Sequence, residues 1–278
     1  MYPIHANQPI GIFDSGLGGL TVFRQLQAQL PQESVIYLAD TARVPYGPRS
    51  SQEIEVFVRE IIAWLLKCRV KMIIVACNTS TALVLERLRA EVPVPLLGLI
   101  LPGARQAVQL GQRVAVLATA ATVKSGAFQQ AIQEADPRAL VQVVACPEFV
   151  PLIEAGAMDP LAPQHPQLQR IVAQYLAPLQ QWPLDVLVYG CTHYPLLEPL
   201  VAQHLGSIPR VDPARSAVTA ASQELKVLGL THSGPARYRF CVSGNPRQFQ
   251  RVARPWLPPV SRIEQVRLPV VQPVPPEE

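Results

Sequence analysis

Two cysteines sit in near-identical surroundings, one in each half of the chain. Lys-Met-Ile-Ile-Val-Ala-Cys77-Asn78-Thr79 is an apolar run that reaches a thiol, an amide and a hydroxyl and then turns helical. Asp-Val-Leu-Val-Tyr-Gly-Cys191-Thr192-His193 repeats that plan in the second half. A thiol at the C-terminal end of a parallel strand, ahead of a helix N-terminus, stands where α/β proteins place chemistry. The partial positive charge of the helix start is expected to lower the thiol pKa. Two such thiols facing one ligand suit the removal of a proton from one face of a carbon and its return on the other.

The residues beside the thiols fit that chemistry. Asn78 and Thr79 follow one cysteine, Thr192 and His193 the other, and their amides and hydroxyls would grip an anion at two helix starts. His193 is close enough in sequence to share a proton with Cys191. The loop Phe-Asp14-Ser15-Gly16-Leu-Gly18-Gly19 also joins a strand to a helix. It departs from the dinucleotide fingerprint, because Thr21 stands where the third glycine belongs, and no Gly-Lys-Ser/Thr occurs anywhere. Asp40 lies at about the ribose-binding distance, but Asp14 would repel a phosphate. Asp14 and Ser15 are therefore read as pointing into a crevice at the strand ends, with capping of the next helix as a compatible role. The loop from Asp40 to Ser50 carries Arg43, Tyr46, Gly47 and Arg49, which would hold a carboxylate or cover a pocket. Glu154 closes an apolar turn before Ala-Gly and faces either solvent or the interior. No Cys-x-x-Cys or His-Glu-x-x-His points to a metal.

The elements that position these residues follow from the alternation of short apolar runs with helical periods, which predicts βα units and mostly parallel sheets. Strands are expected at 9–13, 34–38, 71–76, 95–97, 113–117, 140–145, 185–189, 209–211 and 238–242. Helices are expected at 20–30, 52–68, 79–90, 123–134, 167–179, 195–204 and 214–229, where apolar residues recur at steps of three and four. A Pro-Gly turn near 98–103 and a second break near 207–212 divide the chain. This predicts two pseudo-symmetric parallel-sheet α/β lobes with the site in the cleft between them. The first lobe is discontinuous, 1–98 plus 212–268, the second is 99–211, and 269–278 is a flexible, proline-rich tail.

Composition narrows the class. Nearly half of the 278 residues are hydrophobic, enough for a large core. No apolar run spans a bilayer and the N-terminus lacks the pattern of a signal peptide, so a cytoplasmic protein without membrane contact is expected. The net charge is only +4 and the basic residues do not cluster, which argues against nucleic acid. Five widely spaced cysteines do not form a disulfide framework, and Cys68, Cys146 and Cys241 read as buried and inert. The four lysines, Lys67, Lys71, Lys124 and Lys226, read as helix or strand-edge positions rather than as a Schiff base for pyridoxal phosphate.

Phe-Asp-Ser-Gly-Leu-Gly-Gly-Leu-Thr-Val, Pro-Tyr-Gly, Ala-Cys-Asn-Thr and Gly-Cys-Thr-His-Tyr-Pro-Leu-Leu, in this order and spacing, resemble the glutamate racemase family from about Ile10 to about Val211. Ser243-Gly-Asn-Pro is a weaker echo. The resemblance implies a cofactor-independent isomerase that interconverts L- and D-glutamate and supplies the D-amino acid for peptidoglycan, and so for cell wall biogenesis and cell shape. By position it makes Cys77 and Cys191 the two acid/base thiols, with Asp14, Glu154 and His193 in support. It makes Asp14, Ser15, Tyr46, Gly47, Asn78, Thr79, Thr192 and His193 the substrate-binding residues, with no cofactor and no metal. Leu101, Ala118 and Pro213 depart from residues common in the family. A racemase for aspartate, a hydantoin or another small acid, and a non-catalytic binding protein of the same fold, stay open as alternatives. So does the assembly, with a homodimer as one candidate.

Overall fold

The computed structural model describes residues 3–155, 166–259 and 261–271. In chain order the elements are β1 (Ile10–Asp14), α1 (Leu20–Gln29), β2 (Val35–Ala39), α2 (Ser51–Lys67), β3 (Met72–Val75), α3 (Asn78–Arg89), β4 (Leu96–Leu97), α4 (Ile100–Leu110), β5 (Arg113–Ala118), α5 (Ala120–Ser125), α6 (Ala127–Ala135), β6 (Leu140–Ala145), α7 (Phe149–Glu154), α8 (Pro166–Gln180), β7 (Val186–Gly190), α9 (Glu198–Leu205), β8 (Arg210–Val211), α10 (Pro213–Val227), β9 (Tyr238–Val242), α11 (Pro246–Ala253) and β10 (Ile263–Gln265). Short 3₁₀ turns cover Tyr194–Leu197 and Arg254–Trp256.

Among the described residues the strands form two sheets, both parallel throughout. One runs β10-β9-β2-β1-β3-β4, the other β6-β5-β7-β8. The central strands β1, β2, β3 and β7 are buried along their whole length, as parallel strands covered on both faces must be. Setting β9 and β10 aside, the sheets share one order. In β2-β1-β3-β4 and in β6-β5-β7-β8 the first strand is central, the second lies on one side of it and the third on the other. Connections therefore leave the first and third strands in opposite directions, and a crevice opens at their C-terminal ends. Cys77 follows the third strand of one set and Cys191 the third strand of the other. The expected fold class is the observed one: two pseudo-symmetric parallel-sheet α/β units.

Several elements differ from the sequence expectation, each for a physical reason. The predicted Pro-Gly turn at 102–103 is the first turn of α4. A proline is tolerated there because first-turn amides lack helical partners anyway. Gly103 serves packing rather than turning, since a Cβ on it would lie 2.9 Å from the Pro213 ring at the start of α10. The single helix expected over 123–134 is two, broken at Gly126, whose φ of 70° is left-handed. α7, α11 and β10 escape the pattern because they are short; β10 offers one apolar residue, Ile263, to pair beside β9. Of the tail expected over 269–278, residues 269–271 carry no helix or strand and 272–278 lie outside the described residues. Cys146 and Cys241 are buried as expected, whereas Cys68 is only partly so. No helix among the described residues is long and apolar enough to cross a membrane.

Beneath the N-terminal end of β3 lies a fully buried ion pair. The Lys71 ammonium sits 2.6 Å from the Glu33 carboxylate and donates to the carbonyls of Ala6 and Leu230. It thereby ties the N-terminal arm and the approach to β9 to the strand that delivers Cys77. Burial pushes the Lys71 pKa down, against the pull of Glu33. Removing one member of such a pair strands the other. Glu33→Gln is therefore expected to cost about 3 kcal/mol at neutral pH. The folded state then binds fewer protons than the unfolded chain between the lowered and the ordinary lysine pKa, so the loss should shrink as pH rises. Urea midpoints at pH 7 and 9.5 check this; equal losses at both would contradict it.

Candidate functional site

The strand ends of the two sheets line one narrow cleft. Its walls include Asp14, Ser15, Tyr46, Gly47, Cys77, Asn78, Thr79, Cys191, Thr192 and His193. Every substrate-binding residue expected from sequence is thus in one place, together with both thiols. Glu154 stands behind His193 and reaches the cleft through it. Thr119 and Val150 complete the wall and were not expected. A signal for Thr119 was present: it follows the apolar run of β5 and caps α5 by accepting from the Thr122 amide, as a strand-end threonine does. In the second sheet it occupies the place that Asp14-Ser15 occupies in the first.

The glycine loop after β1 binds a carboxylate of its own chain. The Leu17 amide donates to Glu154 Oε1 at 2.6 Å, and the Gly16 amide to Asp14 Oδ1 at 2.7 Å. A Cβ on Gly16 would lie 2.0 Å from Glu154 Oε1, and one on Gly18 would lie 2.4 Å from His193 Nδ1. The glycines are there to let the facing half approach. Beneath the loop the buried Tyr37 hydroxyl donates to the Gly16 carbonyl at 2.7 Å. Across the cleft the Thr192 hydroxyl donates to Asp14 Oδ2 at 3.0 Å.

His193 lies between two acidic groups. One ring nitrogen is 2.7 Å from Glu154 Oε1, the other 3.8 Å from the Cys191 sulfur. Burial pushes the imidazole pKa down, but its bonds to Cys191 and Glu154 outweigh burial and hold the pKa well above the ordinary value. Burial pushes Glu154 up, and the imidazole and the Leu17 amide bring it below the usual carboxylate range. Asp14 goes the other way: its burial is greater than His193 and its hydrogen bonds can offset, and its pKa is raised.

Cys77 corrects one expectation. The start of α3 was expected to lower its pKa. Burial instead pushes the thiol up to about 12, the Asp14 carboxylate adds to the rise, and Ser80 pulls it partly back. Desolvation of a charge in a closed cleft exceeds the pull of a helix end. Cys77 is therefore a strong base once it is ionised.

The loop from Asp40 to Ser50 also departs in part. Its arginines pair within the chain. Arg43 binds Asp40 at 2.7 Å and Glu60 at 2.5 Å, and Arg49 approaches Glu53. Asp40, fully buried, also accepts from the hydroxyls of Tyr46 and Ser243. That cluster fixes Tyr46 and Gly47 in the cleft wall, and it explains the echo at Ser243-Gly-Asn-Pro, which braces the loop. Both carboxylate oxygens of Asp40 are thereby engaged within the chain.

One residue shows what the cleft is built to receive. Asn78 is 2 % exposed, and neither its Oδ1 nor its Nδ2 has a hydrogen-bond partner among the described residues. Leaving a buried amide unpaired costs free energy, so such a group in a cleft marks a ligand contact. Beside it, the hydroxyls of Thr79 and Thr119 meet at 2.9 Å, and Thr122 lies 3.0 Å beyond. These are donors and acceptors at neutral groups, suited to a carboxylate held at the start of α3. No cluster of metal-binding side chains is found among the described residues.

Comparison with known proteins agrees with this geometry. The Asp/Glu/Hydantoin racemase family model matches residues 15–221. A glutamate racemase from Gloeothece citriformis is 54% identical over 264 residues, 94% of this chain and 93% of its own. Among solved structures, a glutamate racemase isoform from Bacillus anthracis superposes with a TM-score of 0.90 at 34% identity, covering 96% of this chain and all of that one. A glutamate racemase from Francisella tularensis, solved in complex with D-glutamate, gives 0.86 at 31% identity over 94% of this chain and 98% of its own. A paired-thiol cleft on this fold, matched along nearly its whole length by such relatives, places the chain in the Asp/Glu/Hydantoin racemase family, on its glutamate racemase branch.

Proposed function

We propose that this chain interconverts L- and D-glutamate by proton transfer between two thiols, without a cofactor, and that the D-glutamate serves peptidoglycan. The observation that carries the reading is the placement of Cys77 and Cys191 at equivalent strand ends on the wall of one cleft, beside the unpaired amide of Asn78. In each direction one cysteine, as thiolate, takes the α-proton. The other, as thiol, protonates the opposite face of the planar carbanion, and the two exchange roles when the substrate hand is reversed. Asn78, Thr79 and Thr192, with Ser15, Tyr46 and Gly47, hold the two carboxylates. Asp14 faces the α-ammonium, and Glu154 holds His193 against Cys191. The two lobes are drawn at 1–98 with 212–268 and at 99–211. A cytoplasmic setting fits this reading, and a homodimer is its candidate assembly.

The energetics make the electrostatics of the cleft essential. A positioned acid and base contribute roughly 10²- to 10⁴-fold, so much of the acceleration must come from groups aimed at the developing carbanion and its carboxylate. A thiolate as basic as Cys77 narrows the gap to a weakly acidic C–H bond. The imidazolium of His193 supplies positive charge at the opposite thiol.

Cys77→Ser and Cys191→Ser should each abolish net racemisation, a loss of about 10²-fold or more, while one-sided exchange of the α-proton survives. Proton NMR of L- and D-glutamate in deuterium oxide, with purified protein and nothing added, reads both events. A serine variant that racemises at the parent rate would refute the two-thiol assignment. Activity should also survive dialysis against a chelator and treatment with a carbonyl reagent; a loss restored by a divalent metal or pyridoxal phosphate would count against the mechanism. Glu154→Gln removes one of the two bonds that favour the imidazolium against burial. The His193 pKa should fall toward or below 6.5 in an imidazole NMR titration, with slower turnover. An unchanged titration would show that Glu154 does not govern the ring.

A further inference from the structure

The two thiols are supported by different chemistry. Cys191 has the His193 ring at 3.8 Å. Three residues after Cys191 comes Tyr194, whose hydroxyl is committed to the Cys146 carbonyl at 2.8 Å. Three residues after Cys77 comes Ser80, fully buried in the first turn of α3. Its Oγ has no hydrogen-bond partner among the described residues. Its neighbour Thr81 spends its own hydroxyl on the Cys77 carbonyl at 3.0 Å.

Cys77 is the N-cap of α3 and its side chain makes no cap hydrogen bond, although the residue three past an N-cap is the one whose amide lies toward the cap side chain. Ser80 brings a hydroxyl to that same place. Both its amide and its hydroxyl act on the sulfur in the sense that favours thiolate. The titratable groups that face Cys77 from other elements all oppose it. Asp14 comes from the end of β1, Cys191 from the end of β7, Tyr37 from β2 and Tyr46 from the following loop, and each adds negative charge when ionised. A buried hydroxyl without a partner, set on a buried sulfur that must carry charge during turnover, is a donor waiting for an anion.

We infer that Ser80 is a positioning residue for proton transfer: its hydroxyl donates to the Cys77 sulfur and holds it as thiolate, where Cys191 has the His193 ring beside it instead. The inference rests on the reading of Cys77 as an acid/base thiol. It predicts that the chain keeps two unlike devices for one task, a hydroxyl on one side and an imidazolium on the other.

Ser80→Ala tests it. Alanine is the better helix former and removes a buried oxygen without leaving another unpaired, so the fold is retained. The readout is alkylation by iodoacetamide at fixed pH between 6 and 10, with Cys77 and Cys191 resolved as separate peptides by mass spectrometry. Loss of a bond to a charged sulfur should raise the Cys77 pKa by about one unit, so its alkylation should fall roughly tenfold while Cys191 holds its rate. A merely structural loosening would do the reverse, because a missing oxygen opens access to the sulfur. In steady state, kcat/KM should fall about tenfold and equally from both enantiomers, whose free energies are the same. Cys77 alkylation that is unchanged or faster, or that falls together with Cys191, would overturn the inference. Alkylation reads the thiol without turnover. A selective fall at Cys77 in a protein inactive on glutamate would therefore keep the role of Ser80 and reject the substrate instead.

Discussion

A carboxylate from one half of the molecule reaches the backbone of the other and binds it. Glu154, at the end of α7, takes the amide of Leu17 in the glycine loop and the ring of His193 beside Cys191. The contact requires residues with no side chain at 16 and 18, and it consumes the amide that a phosphate loop would present to a ligand. It holds the pKa of a histidine up in a place where burial alone would lower it. With the Thr192–Asp14 bond it closes the cleft on the side of Cys191. The charge balance around that thiol depends on this link, because Glu154 and His193 are each affordable in the interior only while the other is present.

The two sheets repeat one strand order, and the repeat is what delivers two thiols to one ligand. It does not extend to their surroundings. Asp14 on the first sheet has an alanine, Ala118, in the matching register on the second, and the histidine two residues past Cys191 has a threonine, Thr79, in the matching place. Duplicated architecture thus sets the positions of the reacting sulfurs, and unlike neighbours set their protonation. A reaction whose two ends are mirror images is carried out by a site that is not.

Much of this was legible in the chain. Parallel strands buried on both faces read as apolar runs, so β1 to β9 could be placed, and both thiols stood at the ends of two of them. What was not legible depends on contacts remote in sequence. Glu154 meets Leu17 and His193 only in the folded chain, and as a lone acid after an apolar turn it looked as much like a surface residue. The Asp40 loop displayed two arginines, but their partners Glu60 and Glu53 lie on α2, beyond the reach of the local pattern. For Cys77 the local pattern pointed the wrong way: the helix start is visible in sequence, while the burial that outweighs it is not.

The contact between Gly103 and Pro213 joins the two places where the chain passes between sheets. α4 begins just after β4 and α10 just after β8, and at this point their first turns touch, Gly103 lying against the Pro213 ring. Two crossings pressed together behave as one pivot rather than as two independent tethers. Any parting of the halves is then a swing about that line, like a cover about its spine. The bonds it has to release are the distant ones at Leu17, Asp14 and Thr79, which are the ones that surround the reacting sulfurs. The contacts that close the cleft and those that place the acid–base groups are in this way the same contacts.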